Sequence, residues 1–289
     1  MTALRDTAKA KINLTLEVLG RRSDGFHELE SLVAFASFGD RLELDPGDGL
    51  DLEVEGPFAA ALGPGNLILD AARAARERVP GLNLGRFRLT KALPVAAGLG
   101  GGSADAAAAL RLIAHANPGL IEAGILAELA LKLGSDVRVC LESRPALMSG
   151  RGETVEPVRG FPACGIVLAN PGLLLATQAV YAALDAPPVT TGRRRAAAPL
   201  DFGGGFEALL AYALPRGNDL EAPAARLVPA IGDVLAALGA LEGARLARLS
   251  GSGPTCVALF PSEQEARRAA SLLAAAHPAW WVASGALEA

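Results

Sequence analysis

One stretch narrows the fold more than any other: Pro94-Val95-Ala96-Ala97-Gly98-Leu99-Gly100-Gly101-Gly102-Ser103, followed at once by apolar residues Ala106, Leu110, Ile113 and Ala114 at helical spacing. A glycine-rich turn therefore feeds a helix predicted to begin at Ser103. The start of a helix carries backbone N–H groups without intrahelical partners and the positive end of the helix dipole, so it attracts an anion. Glycines allow the backbone to come close to such an anion, although the same run is equally compatible with a flexible turn that binds nothing. It is not a Walker A loop, because no Gly-Lys dipeptide occurs in the chain, and Ser103 stands where a dinucleotide fingerprint needs its third glycine.

The rest of the chain reads as α+β. Apolar residues alternate from Ile12 to Val18, at Arg41–Leu44, at Leu50–Val54 and at Arg86–Leu89, predicting a mainly antiparallel sheet in which Lys11 and Asn13 share one strand face. Asn66 is placed to cap a helix bearing Leu69, Ala72 and Ala75. The polar stretch from Gly152 to Phe161 suggests a division into residues 1–156 and 157–289. Beyond it the order is strand (Ile166–Ala169), helices, strands (Arg245–Leu249 and Thr255–Phe260), helix (Glu263–Ala276) and a strand near Trp280. That order suits a split βαβ, ferredoxin-like domain. The stretch Pro187–Gly205, with Arg193-Arg194-Arg195, is expected to be a surface excursion.

Composition closes off several functions. With 289 residues, 51% of them hydrophobic, the chain can bury a large core, and a net charge of -4 gives no overall attraction to nucleic acid or anionic lipid. Charged residues interrupt every apolar run too often for a membrane span, and the N-terminus has no apolar signal region, so a cytoplasmic protein is expected. Cys140, Cys164 and Cys256 are widely spaced with no neighbouring His, which points to reduced core residues rather than a metal site. Apolar core and apolar interface look alike in a sequence, so the oligomeric state is left open.

Two charged residues stand out as candidates for chemistry. Asp136, in Leu133-Gly134-Ser135-Asp136-Val137, is predicted to lie where a helix ends at Gly134 and a strand of Val137, Val139 and Leu141 begins. Asp in such a place is commonly a turn residue, and Lys11 on a strand is commonly solvated.

Taken together, Ala10-Lys11-Ile12-Asn13-Leu14, the glycine run, Gly134-Ser135-Asp136-Val137 and Leu249-Ser250-Gly251-Ser252-Gly253-Pro254 resemble the ordered motifs of the GHMP kinases over essentially the whole chain. The resemblance implies an N-terminal domain like ribosomal S5 domain 2, a C-terminal ferredoxin-like domain, and ATP with Mg²⁺. It implies ATP binding by Pro94, Val95, Ala96, Ala97, Gly98, Leu99, Gly100, Gly101, Gly102, Ser103 and Ala104, with Asn66 and Lys91 near the nucleotide. Asp136 would be the base and Lys11 its electrostatic partner. Where the family often has Ser-Ser-Asn, this chain has Ser103-Ala104-Asp105, and Asp105, which would repel the phosphates if it faced them, is expected to point sideways. Asp24-Gly25-Phe26-His27 resembles a family segment that holds cytosine, so the acceptor is expected to be the 2-hydroxyl of a cytidine-diphosphate-linked methylerythritol, with Asn13, Phe26, His27 and Thr177 as substrate contacts. Phe26 keeps a stacking face but lacks the hydroxyl of the family's Tyr. Gly150-Arg151-Gly152-Glu153, Asn170-Pro171-Gly172 and Asn218-Asp219-Leu220-Glu221 resemble further landmarks, with Thr177 and Asn218 equally readable as helix caps. Another GHMP acceptor, such as homoserine, mevalonate or a sugar, is the rival expectation, and an S5-like nucleotide or RNA module without chemistry is the rival class.

Overall fold

The computed structural model describes residues 3–189 and 199–288; Arg193-Arg194-Arg195 lies outside them. Along the described chain come β1 (Leu4–Asn13), β2 (Glu17–Arg21), β3 (His27–Asp45), β4 (Leu50–Glu55), α1 (Leu67–Arg78), β5 (Gly85–Thr90), α2 (Gly101–Ala116), α3 (Ala123–Leu133), α4 (Ser135–Glu142), β6 (Ala146–Gly150) and β7 (Thr154–Pro157). Then follow β8 (Cys164–Asn170), α5 (Thr177–Leu184), α6 (Phe206–Ala213), α7 (Glu221–Leu227), α8 (Ala230–Gly239), β9 (Leu246–Leu249), β10 (Cys256–Phe260), α9 (Glu263–Ala276) and β11 (Trp281–Leu287). Two compact units divide the chain: Met1–Ala10, Phe38–Val95 and Gly100–Ser143 form the first, and Lys11–Ser37, Ala96–Leu99 and Arg144–Ala289 the second.

In the first unit the end of β3 pairs antiparallel with β5, from Arg41↔Thr90 to Asp45↔Arg86. Leu42, Leu44, Phe87 and Leu89 are fully buried, the face that the two-residue period requires. The sheet is not wholly antiparallel as expected: β4 runs parallel to β5, from Leu50↔Gly85 to Glu55↔Thr90. The segment between them contains α1, and such a crossover returns the chain in the same direction. Asn66 caps α1 as predicted, its Oδ1 accepting from the Ile68 N–H at 2.9 Å. Helix α2 is rich in buried alanine (Ala104, Ala106 to Ala109), and small side chains let α1, α3 and α4 pack closely against it.

Three local readings need correction. Val137, Val139 and Leu141 lie in helix α4, not in a strand. Five alternating residues are too few to separate the two periods; Cys140 completes the buried face, and an Arg138–Glu142 ion pair at i,i+4 supports the helix. Helix α2 starts at Gly101, so two glycines lie inside its first turn. The alternating run from Ile12 to Val18 is broken between β1 and β2, because the N–H groups of Leu14 and Thr15 both turn to the Leu32 carbonyl and Leu16 N–H donates to Gly217.

In the second unit β2, β6 and the first part of β3 form one antiparallel group, extended by β7 from within the polar stretch after Gly152. Strands β11, β8, β10 and β9 are antiparallel in that spatial order. Numbered by sequence among themselves they read 4-1-3-2, the ferredoxin-like arrangement expected. Every residue of β8 is buried, and Val167, Ala169, Val234, Leu238, Phe260 and Leu273 form the heart of this core. Cys164 and Cys256 are buried here and Cys140 in the first unit, none of them in a disulfide, and burial pushes the Cys164 thiol up to about 12. Among the described residues no helix is long and apolar enough to cross a membrane.

Candidate active site

The glycine-rich loop takes its shape from backbone angles that few side chains tolerate. Ala96, Gly98 and Gly100 have φ values of 53°, 75° and 62°, in the left-handed region where glycine is at ease and alanine is uncommon. Gly100, the cap of α2, has no side chain with which to satisfy the first-turn N–H groups. By helix geometry these groups face out of the α2 N-terminus, ready for phosphate oxygens.

In the second unit a second glycine loop holds the Ala96–Leu99 part of this turn in place. Ser250, between β9 and β10, donates through its hydroxyl to the Gly98 carbonyl at 3.1 Å and accepts from Asn13 N–H at 3.2 Å. Thr255 N–H donates to Ala97 at 3.2 Å, and Lys11 N–H to Leu99 at 2.9 Å. A Cβ on Gly98 would stand 2.3 Å from the Ser250 carbonyl oxygen, so this position admits glycine alone. Lys11 and Asn13, the predicted pair on β1, are both buried. Asn13 Nδ2 donates to Ser31 Oγ at 2.7 Å, while its Oδ1 is buried without a hydrogen-bond partner, an acceptor left available to a donor group. Asn218, read as a cap or a substrate contact, donates to the carbonyls of Leu249 and Gly251 and so braces the second loop.

A separate part of the second unit forms a cavity of about 640 Å³ lined by Phe26, His27, Arg151, Thr177 and Tyr181, among others. The tight turn before β3 makes it: Arg22 N–H donates to the Phe26 carbonyl, Asp24 accepts from Phe26 N–H, and Gly25 has a φ of 85°. Phe26 is 55% exposed, with the Arg151 guanidinium 4.9 Å from its ring centre. His27 and Tyr181 lie 4.7 Å apart between ring centres and 31° from coplanar. Burial, with Arg21 beside it, holds the His27 imidazole below its usual range, which favours the neutral ring with one donor and one acceptor. Thr177 is the first residue of α5 and not its cap, and its hydroxyl meets Ser252 Oγ at 2.9 Å. Sequence reading missed Tyr181; the available signal was its place one helical turn after Thr177.

In the first unit, Asp136 lies in the first turn of α4. Arg111 of α2 ties the end of α4 down, its Nη1 donating to the carbonyls of Cys140 and Leu141 while Nε bonds Asp6 at 2.7 Å. Arg138, which interrupts the resemblance, pairs with Glu142 at 2.8 Å. Asn66, expected near the nucleotide, spends its Oδ1 on capping α1, whose Leu67 side chain would lie 3.7 Å from a Cβ on Gly102. Lys91, also expected near the nucleotide, is 2% exposed, with Nζ 2.5 Å from Asp40 Oδ2 and 2.7 Å from Asp105 Oδ2. Asp105 thus turns inward to Lys91 and is buried. One lysine faces two buried carboxylates, and burial drives the Asp105 carboxyl up to about 7 despite Lys91.

Family models for the N-terminal and C-terminal domains of the GHMP kinases match residues 66–144 and 204–279. The chain is 50% identical over 297 residues to the 4-diphosphocytidyl-2-C-methyl-D-erythritol kinase of Rhodopseudomonas palustris (strain BisB5), covering 100% of both. It is 50% identical over 289 residues to the kinase of the same name from Methylobacterium radiotolerans, covering 98% of each. A crystal structure of a 4-(cytidine 5'-diphospho)-2C-methyl-D-erythritol kinase superposes with a TM-score of 0.79 at 35% identity, over 99% of this chain and 100% of that one.

Proposed function

The chain belongs to the GHMP kinases, among the 4-diphosphocytidyl-2-C-methyl-D-erythritol kinases, and from this we infer that it transfers the γ-phosphoryl group of ATP to the 2-hydroxyl of 4-diphosphocytidyl-2-C-methyl-D-erythritol. The products are the 2-phosphate and ADP, in isoprenoid precursor biosynthesis. The single observation that carries the acceptor assignment beyond family membership is the cavity that sets Phe26 beside the tilted rings of His27 and Tyr181. A pyrimidine needs a ring to stack on and a hydrogen-bonding edge to read, and this cavity offers both.

We assign the triphosphate to the loop from Pro94 to Ala104, within an ATP-binding part spanning residues 1–156, with residues 157–289 as the C-terminal part. The left-handed turns at Ala96, Gly98 and Gly100 and the uncapped start of α2 support this reading. Mg²⁺, when bound with the nucleotide, would supply positive charge against the phosphate oxygens. The acceptor oxygen forms a bond to the γ-phosphorus as the bond to the β-phosphate oxygen breaks, and Asp136 orients the hydroxyl and takes its proton. Lys11 supplies positive charge during transfer, and Asn13 and Thr177 contribute polar contacts to the acceptor. The work belongs in the cytoplasm, in keeping with buried cysteines that form no disulfide.

The test is mass spectrometry of protein incubated with ATP, Mg²⁺ and the cytidine-diphosphate methylerythritol, beside Asp136→Asn. The expected result is a singly phosphorylated product whose rate falls by roughly 10²–10⁴ in the variant. Product from homoserine or mevalonate with none from the cytidine compound would overturn the substrate assignment.

A further inference from the structure

Resting on the phosphate-loop reading, we propose that Asp40, Lys91 and Asp105 are positioning residues: a buried strut that fixes the start of α2 from behind, with Lys91 acting on the nucleotide through the backbone and not by touching it. The geometry lies within the first unit. Asp40, in the last third of β3, is fully buried. Its Oδ1 accepts from the N–H groups of Ala92 and Leu93 at 2.6 and 2.8 Å, fixing the chain just before Pro94. Its Oδ2 holds Lys91 Nζ, which reaches across to Asp105 in the second turn of α2. A Cβ on Gly101 would stand 3.2 Å from Lys91 Nζ and 3.7 Å from Asp40 Oδ2. The ammonium therefore sits directly under the first helical residue of the phosphate loop, and any larger side chain at 101 would press on it.

Both ends of the loop segment in this unit are thus tied to one carboxylate. Asp40 anchors the entrance through Ala92 and Leu93, and by way of Lys91 and Asp105 it anchors the exit. A loop that must present several N–H groups to phosphate at once gains from such pre-organisation, because a small displacement costs every contact together. Lys91 is 2% exposed with two carboxylates within 2.7 Å. An ammonium so enclosed has no reach left for a nucleotide in solution. Burial draws the Lys91 ammonium down, but Asp105 and Asp40 more than offset this and hold it above its ordinary value.

The experiment measures nucleotide affinity by calorimetry, with KM for each substrate and kcat, in Asp105→Ala, Asp105→Asn and Asp105→Leu. Asp105→Ala and Asp105→Leu both cut the tie to Lys91, the second while refilling the space. The expected result is ATP affinity weakened on the order of tenfold in both, with KM for the cytidine substrate shifted less than about twofold. Asp105→Asn keeps an acceptor for Lys91 and should return ATP affinity to within about threefold of the parent. Unchanged ATP affinity in Asp105→Ala, an equal rise in KM for both substrates, or an Asn variant as weak as Ala would each overturn the strut. Gly102→Glu keeps the two readings apart: its Cβ meets only the Leu67 side chain, at 3.7 Å, while its carboxylate opposes an anion at the helix start. ATP affinity unmoved by Gly102→Glu would refute the phosphate-loop reading itself, whatever the Asp105 variants do.

Discussion

Ser250 Oγ lies 3.1 Å from the carbonyl oxygen of Gly98 and donates to it, joining two glycine loops that are 152 residues apart in sequence. The Ser250 carbonyl oxygen faces the same glycine so closely that a Cβ there would stand 2.3 Å away, with the Gly253 nitrogen at 2.8 Å. Because Gly98 also has a φ of 75°, Gly98→Ala combines backbone strain with a collision against backbone atoms that no rotamer relieves. Strain of this kind costs about 1–3 kcal/mol before the collision is added. Gly98→Ala should therefore lower the thermal midpoint and weaken ATP, whereas Gly81→Ala, whose Cβ meets nothing within 4 Å at a φ of 87°, should show the smaller loss from strain alone. Paired denaturation curves check this, and equal losses would refute the contact argument.

The pair His27 and Tyr181 predicts substrate recognition. Stacking a base on an aromatic ring contributes about 1–3 kcal/mol, so Tyr181→Ala should raise KM for the cytidine substrate by roughly 5- to 150-fold. KM for ATP should hold. Tyr181→Phe keeps the ring and should stay near the parent.

His27 also carries a pH signature. Burial and Arg21 hold its pKa below the usual imidazole value, so the neutral ring persists as pH falls through about 6.5. KM for the cytidine substrate should be flat from pH 8 to 6.5 and rise only at lower pH. A rise that begins above 6.5 would mean that His27 titrates normally or does not bind the base.

Much of this was legible in the sequence, and what was not has identifiable causes. The glycine loop, the Asn66 cap and the second half's strand order could be read because each rests on neighbouring residues or on a period. Helix α4 was misread because Val137, Val139 and Leu141 satisfy a two-residue period by chance while Cys140 belongs to the helical face. The parallel β4–β5 pair depends on a crossover that alternation cannot reveal. Lys91 was placed near the nucleotide by the resemblance alone; its partners are 51 and 14 residues away, and no local pattern announces a buried cation between Asp40 and Asp105.

That cluster makes stability depend on pH. Asp105 is raised from 3.8 to about 7 by burial, which outweighs the attraction of Lys91, and Asp40 adds repulsion. Between these values the folded chain keeps a proton that the unfolded chain has lost, so stability falls as pH rises, by at most about 1.4 kcal/mol per pH unit from this group. Lys91 and Asp40 are the charged groups facing it. Asp105→Asn removes the titration, so its thermal midpoint should gain on the parent between pH 5 and pH 8. A constant difference across that range would show that Asp105 does not titrate there.

Arg248 provides a last prediction, about what holds the second unit together. Its guanidinium is buried on β9, and Nη1 donates to the Leu14 and Ala213 carbonyls, joining the residue just after β1 to the end of α6. Burial lowers its pKa, with Glu221 opposing the shift. Arg248→Met keeps the apolar stem but takes the guanidinium donor from the Leu14 carbonyl, at about 1–3 kcal/mol for a buried group so orphaned, while the Ala213 carbonyl keeps the N–H groups of Arg216 and Gly217. Arg248→Lys retains the charge yet, lacking the planar fork, should recover only part of the loss. Leu14 directly follows Asn13, so the Met variant should also raise KM for the acceptor, while Arg267→Met, at an exposed ion pair with Glu263, should change stability by less than about 1 kcal/mol. Chemical denaturation of the three variants decides it, and a Met variant as stable as the parent would show that the Leu14 carbonyl finds another donor.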